Sequence, residues 1–221
     1  ITGTLETITD AYLSCYRDED PRGDRQLEFT QLDIEMSYVT RDDVLAMMED
    51  LFNDVFKKVL NIDLPKSFKR IAYNDALNTY GCDKPDLRFG LEMHDASSFA
   101  AKSTFNAFLE PLKGKGAVKY LVAPHKDGFD YTRKYITELE DAAKVYGAKG
   151  LAWMKVQDGK LSGGVTKYFA GLEEEVLATT GAKDGDLILL VAHDNWKKCC
   201  NSLGAVRSKF GADLKIINED E

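Results

Sequence analysis

Apolar and polar residues alternate between residues 27 and 38. Leu32, Ile34 and Met36 fall on one side, Phe29, Gln31, Asp33 and Glu35 on the other, the period of two that marks a strand. The first set reads as a packed face. The second lines up a ring, an amide and two acids, and reads as the floor of a polar pocket. From Thr40 the period lengthens: Val44, Leu45, Met48, Leu51, Phe52 and Val55 recur at helical spacing, with Thr40 and Asp43 placed as a capping box. This predicts a helix of about five turns lying on a sheet, ended by Asn61 and Pro65.

Downstream, a short helix near 74–80 stops at Gly81, and "GCDKPDLRFG" is a loop by its Gly, Asp and Pro content. "GAVKYLV" and "GLAWMKV" read as strands, separated by a helix over 132–146 with Ile136, Leu139, Ala143 and Tyr146 on one face and Gly147 as its cap. Asp158-Gly159 predicts a type I′ hairpin turn. A short helix over 173–178 precedes "DLILLVA" (186–192), a buried strand, and "NWKKCCNSLGAVRSKFGADL" reads as a last helix capped by Asp194 or Asn195. No internal repeat or low-complexity run interrupts this α+β order.

Composition narrows the class. With 221 residues and 44% apolar content the chain carries enough material for a real core. A net charge of -8 and a pI near 5.0 argue against a protein that coats nucleic acid non-specifically. No apolar run is long enough to span a bilayer, and "ITGTLETITDAYLS" lacks a basic segment followed by an apolar one, so a soluble, non-secreted chain is expected. Cys15, Cys82, Cys199 and Cys200 show no CxxC spacing and read as reduced thiols. His94, His125 and His193 show no ligand spacing, and Trp153 and Trp196 read as packing residues.

One stretch exceeds what a hairpin needs. In "CYRDEDPRGDRQLEFTQLDIEMSYV" (15–39), Arg17, Arg22 and Arg25 alternate with Asp18, Glu19, Asp20 and Asp24 between two strand-like ends. The run closely resembles the second signature motif of class II aminoacyl-tRNA synthetases, in the form used by aspartyl-tRNA synthetases. The resemblance continues through "YGCDKPDLRFGLEM", "LKGKGAVKYLVAP", "YGAKGLAWMKV", "GDLILLVA" and "LGAVRSKFG". These segments resemble the insertion domain of the bacterial type, which is similar to a module of tRNA-dependent amidotransferases. It covers nearly the whole chain from about residue 12. Ser14 stands where the family usually has Arg, Pro21 and Leu27 replace the usual Leu and Pro, and Gly163 replaces a Pro.

The resemblance implies roles. Arg17 would be the catalytic residue, gripping the α-phosphate of ATP and the substrate carboxylate with a planar fork that matches two oxygens at once. Asp18, Glu19 and Gln26 would be further ATP contacts, Glu19 facing the adenine amino group, and Phe29 would stack on the ring. Gln31 and Asp33 would receive the ammonium of aspartate. Arg22 and Arg25 would meet the tRNA acceptor end or the outer phosphates; the other reading is a self-neutralising surface loop. "KGKGAVK" (113–119) is a solvated turn entering a strand, with a small basic edge facing tRNA as the alternative.

The implied architecture is a partial class II catalytic domain with an antiparallel sheet over 1–93, an insertion domain over 94–194, and a return to the catalytic domain over 195–221. The first and third signature motifs and the anticodon-binding barrel are not in the sequence, so an internal fragment of the enzyme, inactive alone, is expected. The full enzyme would use ATP and Mg²⁺, act on aspartate and tRNA(Asp), form a homodimer, and be cytoplasmic, or organellar in a eukaryote. A non-catalytic nucleotide- or tRNA-binding module, or a synthetase paralogue, is the competing reading.

Overall fold

The two strand-like ends of the charged stretch pair with each other. β1 (Ala11–Tyr16) and β2 (Glu28–Asp33) are antiparallel, with Cys15 opposite Phe29 and Tyr16 opposite Glu28. The computed structural model describes residues 11–18 and 25–217, with the backbone alone for 11–13. The chain divides into two units, Ile1–Arg70 and Ile71–Glu221.

In the first unit the predicted helix is α1 (Arg41–Leu60). Its start is fixed reciprocally: the Asp43 N–H donates to Thr40 Oγ1 at 3.4 Å and the Thr40 N–H to Asp43 Oδ2 at 2.8 Å. Asp42 and Asp43 in the first turn and Lys57 and Lys58 in the last suit the helix dipole, and Asn61 closes it in the left-handed conformation. The following segment runs back along the helix. Phe68 donates its N–H to Glu49 at 3.0 Å, its ring meets Phe52 edge-on at 6.4 Å, and Arg70 pairs with Asp42 at 2.9 Å. Among the described residues no sheet covers the helix: no residue of α1 is buried, and Val55 and Val59 are 44% and 73% exposed. Sheltering along the strand and its continuation is mixed: Phe29, Gln31 and Asp33 are half-buried and Leu32 is 41% exposed, whereas beyond β2 Ile34 and Met36 are half-buried and Glu35 is exposed.

The second unit is ordered α2 (Tyr73–Tyr80), β3 (His94–Asp95), α3 (Ser97–Ala100), α4 (Asn106–Lys113), β4 (Ala117–Ala123), α5 (Arg133–Val145), β5 (Ala152–Gln157), β6 (Lys160–Ser162), a 3-10 turn (Thr166–Phe169), α6 (Glu173–Thr180), β7 (Leu187–His193) and α7 (Trp196–Asp213). Its five strands form one antiparallel sheet in the order β3-β4-β7-β5-β6. β7 reads as an uninterrupted apolar run because both of its faces are covered. Leu187, Leu189 and Val191 pack with Leu139, Leu203 and Phe210 of α5 and α7. Ile188 and Leu190 pack with Phe99, Phe108, Phe169 and Val176 on the other side. The β5–β6 turn has positive φ at both Asp158 (51°) and Gly159 (69°), as a type I′ turn requires. Asn195 caps α7, accepting the Lys198 N–H at 3.1 Å.

This unit takes in α2, the loop after it and α7, all of which the sequence reading placed outside 94–194. The cause is physical. One face of α7 buries Cys199, Leu203, Val206 and Phe210 on the sheet. Arg207, 1% exposed, then ties the 86–91 segment to the helix. Its Nε donates to Leu91 O at 3.0 Å, while Nη2 is shared among the carbonyls of Asp86 (2.8 Å), Gly90 (3.0 Å) and Phe89 (3.1 Å). The guanidinium also lies 4.2 Å from the Phe89 ring centroid and 5.0 Å from that of Tyr80.

Candidate active-site hairpin

Opposed residues of an antiparallel pair share a face. Cys15 lies opposite Phe29, so Arg17, two residues on from Cys15, emerges on the face that carries Phe29, Gln31 and Asp33. Its backbone continues the ladder, with the Arg17 N–H donating to Leu27 O at 2.9 Å. The guanidinium sits 5.0 Å from the Phe29 ring centroid and donates from Nη2 to Gln31 Oε1 at 3.4 Å. The Gln31 amide in turn donates to Asp33 Oδ1.

This chain of contacts fixes which way Gln31 points. Arg17 is donor only and an ionised Asp33 is acceptor only, so the carboxamide presents oxygen to one and nitrogen to the other. Cys15 adds a thiol contact to the same oxygen at 3.9 Å. The result is an ordered row of cation, ring, amide and carboxylate on one sheet face, with the cation exposed at the strand end. Such a row can grip an anionic group, stack on a planar ring and accept from an ammonium.

The structure therefore brings together four of the predicted residues: Arg17, Phe29, Gln31 and Asp33. Asp18, Arg25 and Gln26 are exposed at the strand ends, and the calls on Glu19 and Arg22 lie outside the described residues. Cys15 was missed as a neighbour of this row. The signal was available, since residues two apart on a strand share a face. Among the described residues, no three His, Cys, Asp or Glu side chains converge to hold a metal ion.

A hairpin face that aligns these groups has the chemistry to meet an anionic group, a planar ring and an ammonium together. The comparisons resolve the class. The family model for class II tRNA synthetases (D, K and N) matches residues 12–199, and the chain belongs to that family. The "Aspartate--tRNA(Asp/Asn) ligase" of Treponema denticola is 54% identical over 209 residues, covering 94% of this chain and 35% of that protein. The protein of the same name from Borreliella burgdorferi is 44% identical over 208 residues, again 94% and 35%. The "Aspartate--tRNA ligase" of Staphylococcus saprophyticus is 43% identical over 211 residues, 95% of this chain and 35% of that one. The chain thus spans about a third of the length of these relatives.

Proposed function

We propose that this chain is the part of an aspartate-tRNA ligase that carries the nucleotide- and aspartate-handling hairpin. The observation that supports the reading is the row Arg17, Phe29, Gln31 and Asp33 on one face, in a chain of this family. In the whole protein, aspartate joins the α-phosphate of ATP, pyrophosphate leaves, and the aspartyl group passes to the 3′ end of tRNA(Asp). The relatives' names extend the tRNA partner to tRNA(Asn).

Both steps develop negative charge on phosphate oxygens, so catalysis rests on positioning and charge stabilisation. Arg17 supplies the charge at the α-phosphate and substrate carboxylate. Phe29 stacks on adenine, with Asp18, Glu19 and Gln26 contacting the nucleotide. Gln31 and Asp33 receive the ammonium, their hydrogen bond fixing the orientation of the carboxamide. Arg22 and Arg25 meet the acceptor end. Mg²⁺ neutralises phosphate charge in the whole enzyme and is assigned to no residue of this chain. The insertion domain contains the sheet of residues 94–194 and extends beyond that span to include α7, which packs on it; the whole protein is a homodimer and acts in the cytoplasm, or in an organelle in a eukaryote. Among the described residues no helix is long and apolar enough to cross a membrane.

The test is aspartate-dependent ATP-pyrophosphate exchange. The full-length protein should be active, the 221-residue chain silent, and Arg17→Ala in the full-length protein should lower exchange by at least about 100-fold, the cost of removing one charge-stabilising donor. Near-normal exchange by Arg17→Ala, with the fold intact by circular dichroism, would overturn the role.

A further inference from the structure

The second unit contains a cavity that the hairpin chemistry does not use. It has a volume of about 510 Å³, within the range of about 300–1,000 Å³ that small-molecule sites occupy. The sheet explains its position. Ala152 of β5 lies opposite Leu190 of β7, and Ala192 follows two residues on. All three therefore share the face that elsewhere carries Met154 and Ile188. The two alanines leave open a space that larger side chains would fill, and Gly150 continues it. The floor is apolar, with Phe108 and Leu190 2% and 0% exposed. Phe105 forms one wall, set edge-on to Phe108 at 4.8 Å and stacked on Tyr168 at 4.6 Å between ring centroids.

The charged residues of the lining stand at the rim, and their charges are already matched. Glu110 pairs with Lys113 at 2.6 Å, Glu140 with Lys144 at 2.7 Å and Asp194 with Lys149 at 3.1 Å. A cation or an anion entering here would have to draw its counter-ion from one of these pairs or set its charge against the apolar floor, which is costly. An uncharged molecule meets neither penalty. A planar ring would also add edge-to-face or offset contacts with Phe105 and Phe108 to the burial of its own surface.

We infer that this cavity is a binding site for an uncharged aromatic molecule of one or two rings. A cavity of about 150 Å³ lined by aliphatic and aromatic side chains is enough to hold benzene, so the space here admits such a molecule. ATP, aspartate and RNA are all charged and are disfavoured on the same ground. The site goes beyond the ligase reading and does not depend on it, because every lining residue belongs to the second unit.

The experiment is a titration of the ¹⁵N-labelled 221-residue chain with 2-phenylethanol, 2-phenylethylamine and phenylacetate, which carry the same ring with no charge, a positive charge and a negative charge. Amide shifts at Gly150, Ala152 and Ala192 that saturate at millimolar alcohol are expected, with both ions weaker by at least about tenfold, the penalty of setting a charge on an apolar floor. Ala107→Leu, on an exposed position of α4 that lines the cavity, should abolish the shifts at unchanged melting temperature. Lys149→Gln, also at an exposed position, releases Asp194 from its pair and keeps the test independent of folding. It should strengthen the amine and leave the alcohol unchanged. Either ion binding as tightly as the alcohol, shifts that never saturate, full binding by Ala107→Leu, or an amine indifferent to Lys149→Gln would each overturn the proposal. So would shifts at the same amides on diluting the ligand-free chain, which would mean that a second copy fills the cavity.

Discussion

Arg207 shows how a single side chain sets the shape of a segment far away in sequence. Its four carbonyl acceptors lie at residues 86–91, in a stretch without helix or strand. The guanidinium supplies donors that the backbone of that stretch would otherwise take from water. Burial lowers the Arg207 pKa from its ordinary value, yet a guanidinium stays charged at neutral pH, and it sits over two rings. Arg207→Met should therefore strand several carbonyls and cost about 3 kcal/mol, since each buried polar group left unpaired costs about 1–3 kcal/mol and some here are partly exposed. Arg207→Lys should recover only part of this, because an ammonium cannot span the same acceptors. Urea denaturation midpoints decide it, and wild-type stability in Arg207→Met would remove the clamp. The neighbouring Asp86 makes a pH prediction. Two side-chain hydrogen bonds from Arg88, with its backbone N–H, hold the Asp86 carboxyl down to about 2 from 3.8. A lowered carboxyl pKa contributes stability above the unfolded value, and that contribution is lost as the pH falls through about 2. The pair is partly exposed, so the loss is about 1 kcal/mol or less. The carboxyl carbon shift of Asp86 should titrate near 2, and Arg88→Ala should move that titration towards the ordinary value.

The elements divide by whether their cause is local. α1, α5, α7 and the β5–β6 turn were legible because caps, period and turn residues lie within a few positions of each other: Thr40 with Asp43, the Ile136, Leu139 and Ala143 spacing of α5, Asn195 as the cap of α7, Asp158 with Gly159. α4 was not, since Pro111 reads as a breaker and only packing of Phe108 on the sheet favours the helix around it. β3 has two residues and carries no period at all. In the hairpin, alternation exposed the polar row, but neither the Arg17–Gln31–Asp33 relay nor the sheltering of that face follows from a one-dimensional pattern. The approach of α2 to α7 was equally silent in the sequence, and it is made by glycine. A Cβ on Gly204 would stand 2.7 Å from Gly81 Cα and 2.9 Å from its carbonyl oxygen. Gly204→Ala gains about 1 kcal/mol of helix propensity, but the obstruction is backbone that cannot rotate away, and overpacking costs about 1–3 kcal/mol. A net loss of stability is expected, read as a lower melting temperature; a higher one would show that the helices separate freely.

The second unit rests on one central strand that serves two cores, and this decides where it can be cut. The face of β7 carrying Leu187, Leu189 and Val191 is covered by α5 and α7, and α7 supplies Cys199, Leu203, Val206 and Phe210 to that core. Residues 94–194, the span assigned from sequence to the insertion domain, include the whole sheet but not α7. Cut there, the sheet would present an apolar face to water, and each large aliphatic side chain uncovered forfeits about 1.5–3 kcal/mol, against a typical domain stability of about 5–15 kcal/mol. Losing Leu203, Val206 and Phe210 together with the surface they cover is enough to exhaust it. Residues 71–221 keep α7, Arg207 and the carbonyls it binds in one piece. Expressed separately, 71–221 should show a single cooperative urea transition by both fluorescence and circular dichroism, while 94–194 should show none, or dye binding typical of exposed apolar surface. A cooperative transition in 94–194 with the midpoint of the longer piece would mean that α7 only rests on the sheet; its absence would make the helix part of the domain, with the fold boundary near residue 70 and not at 94.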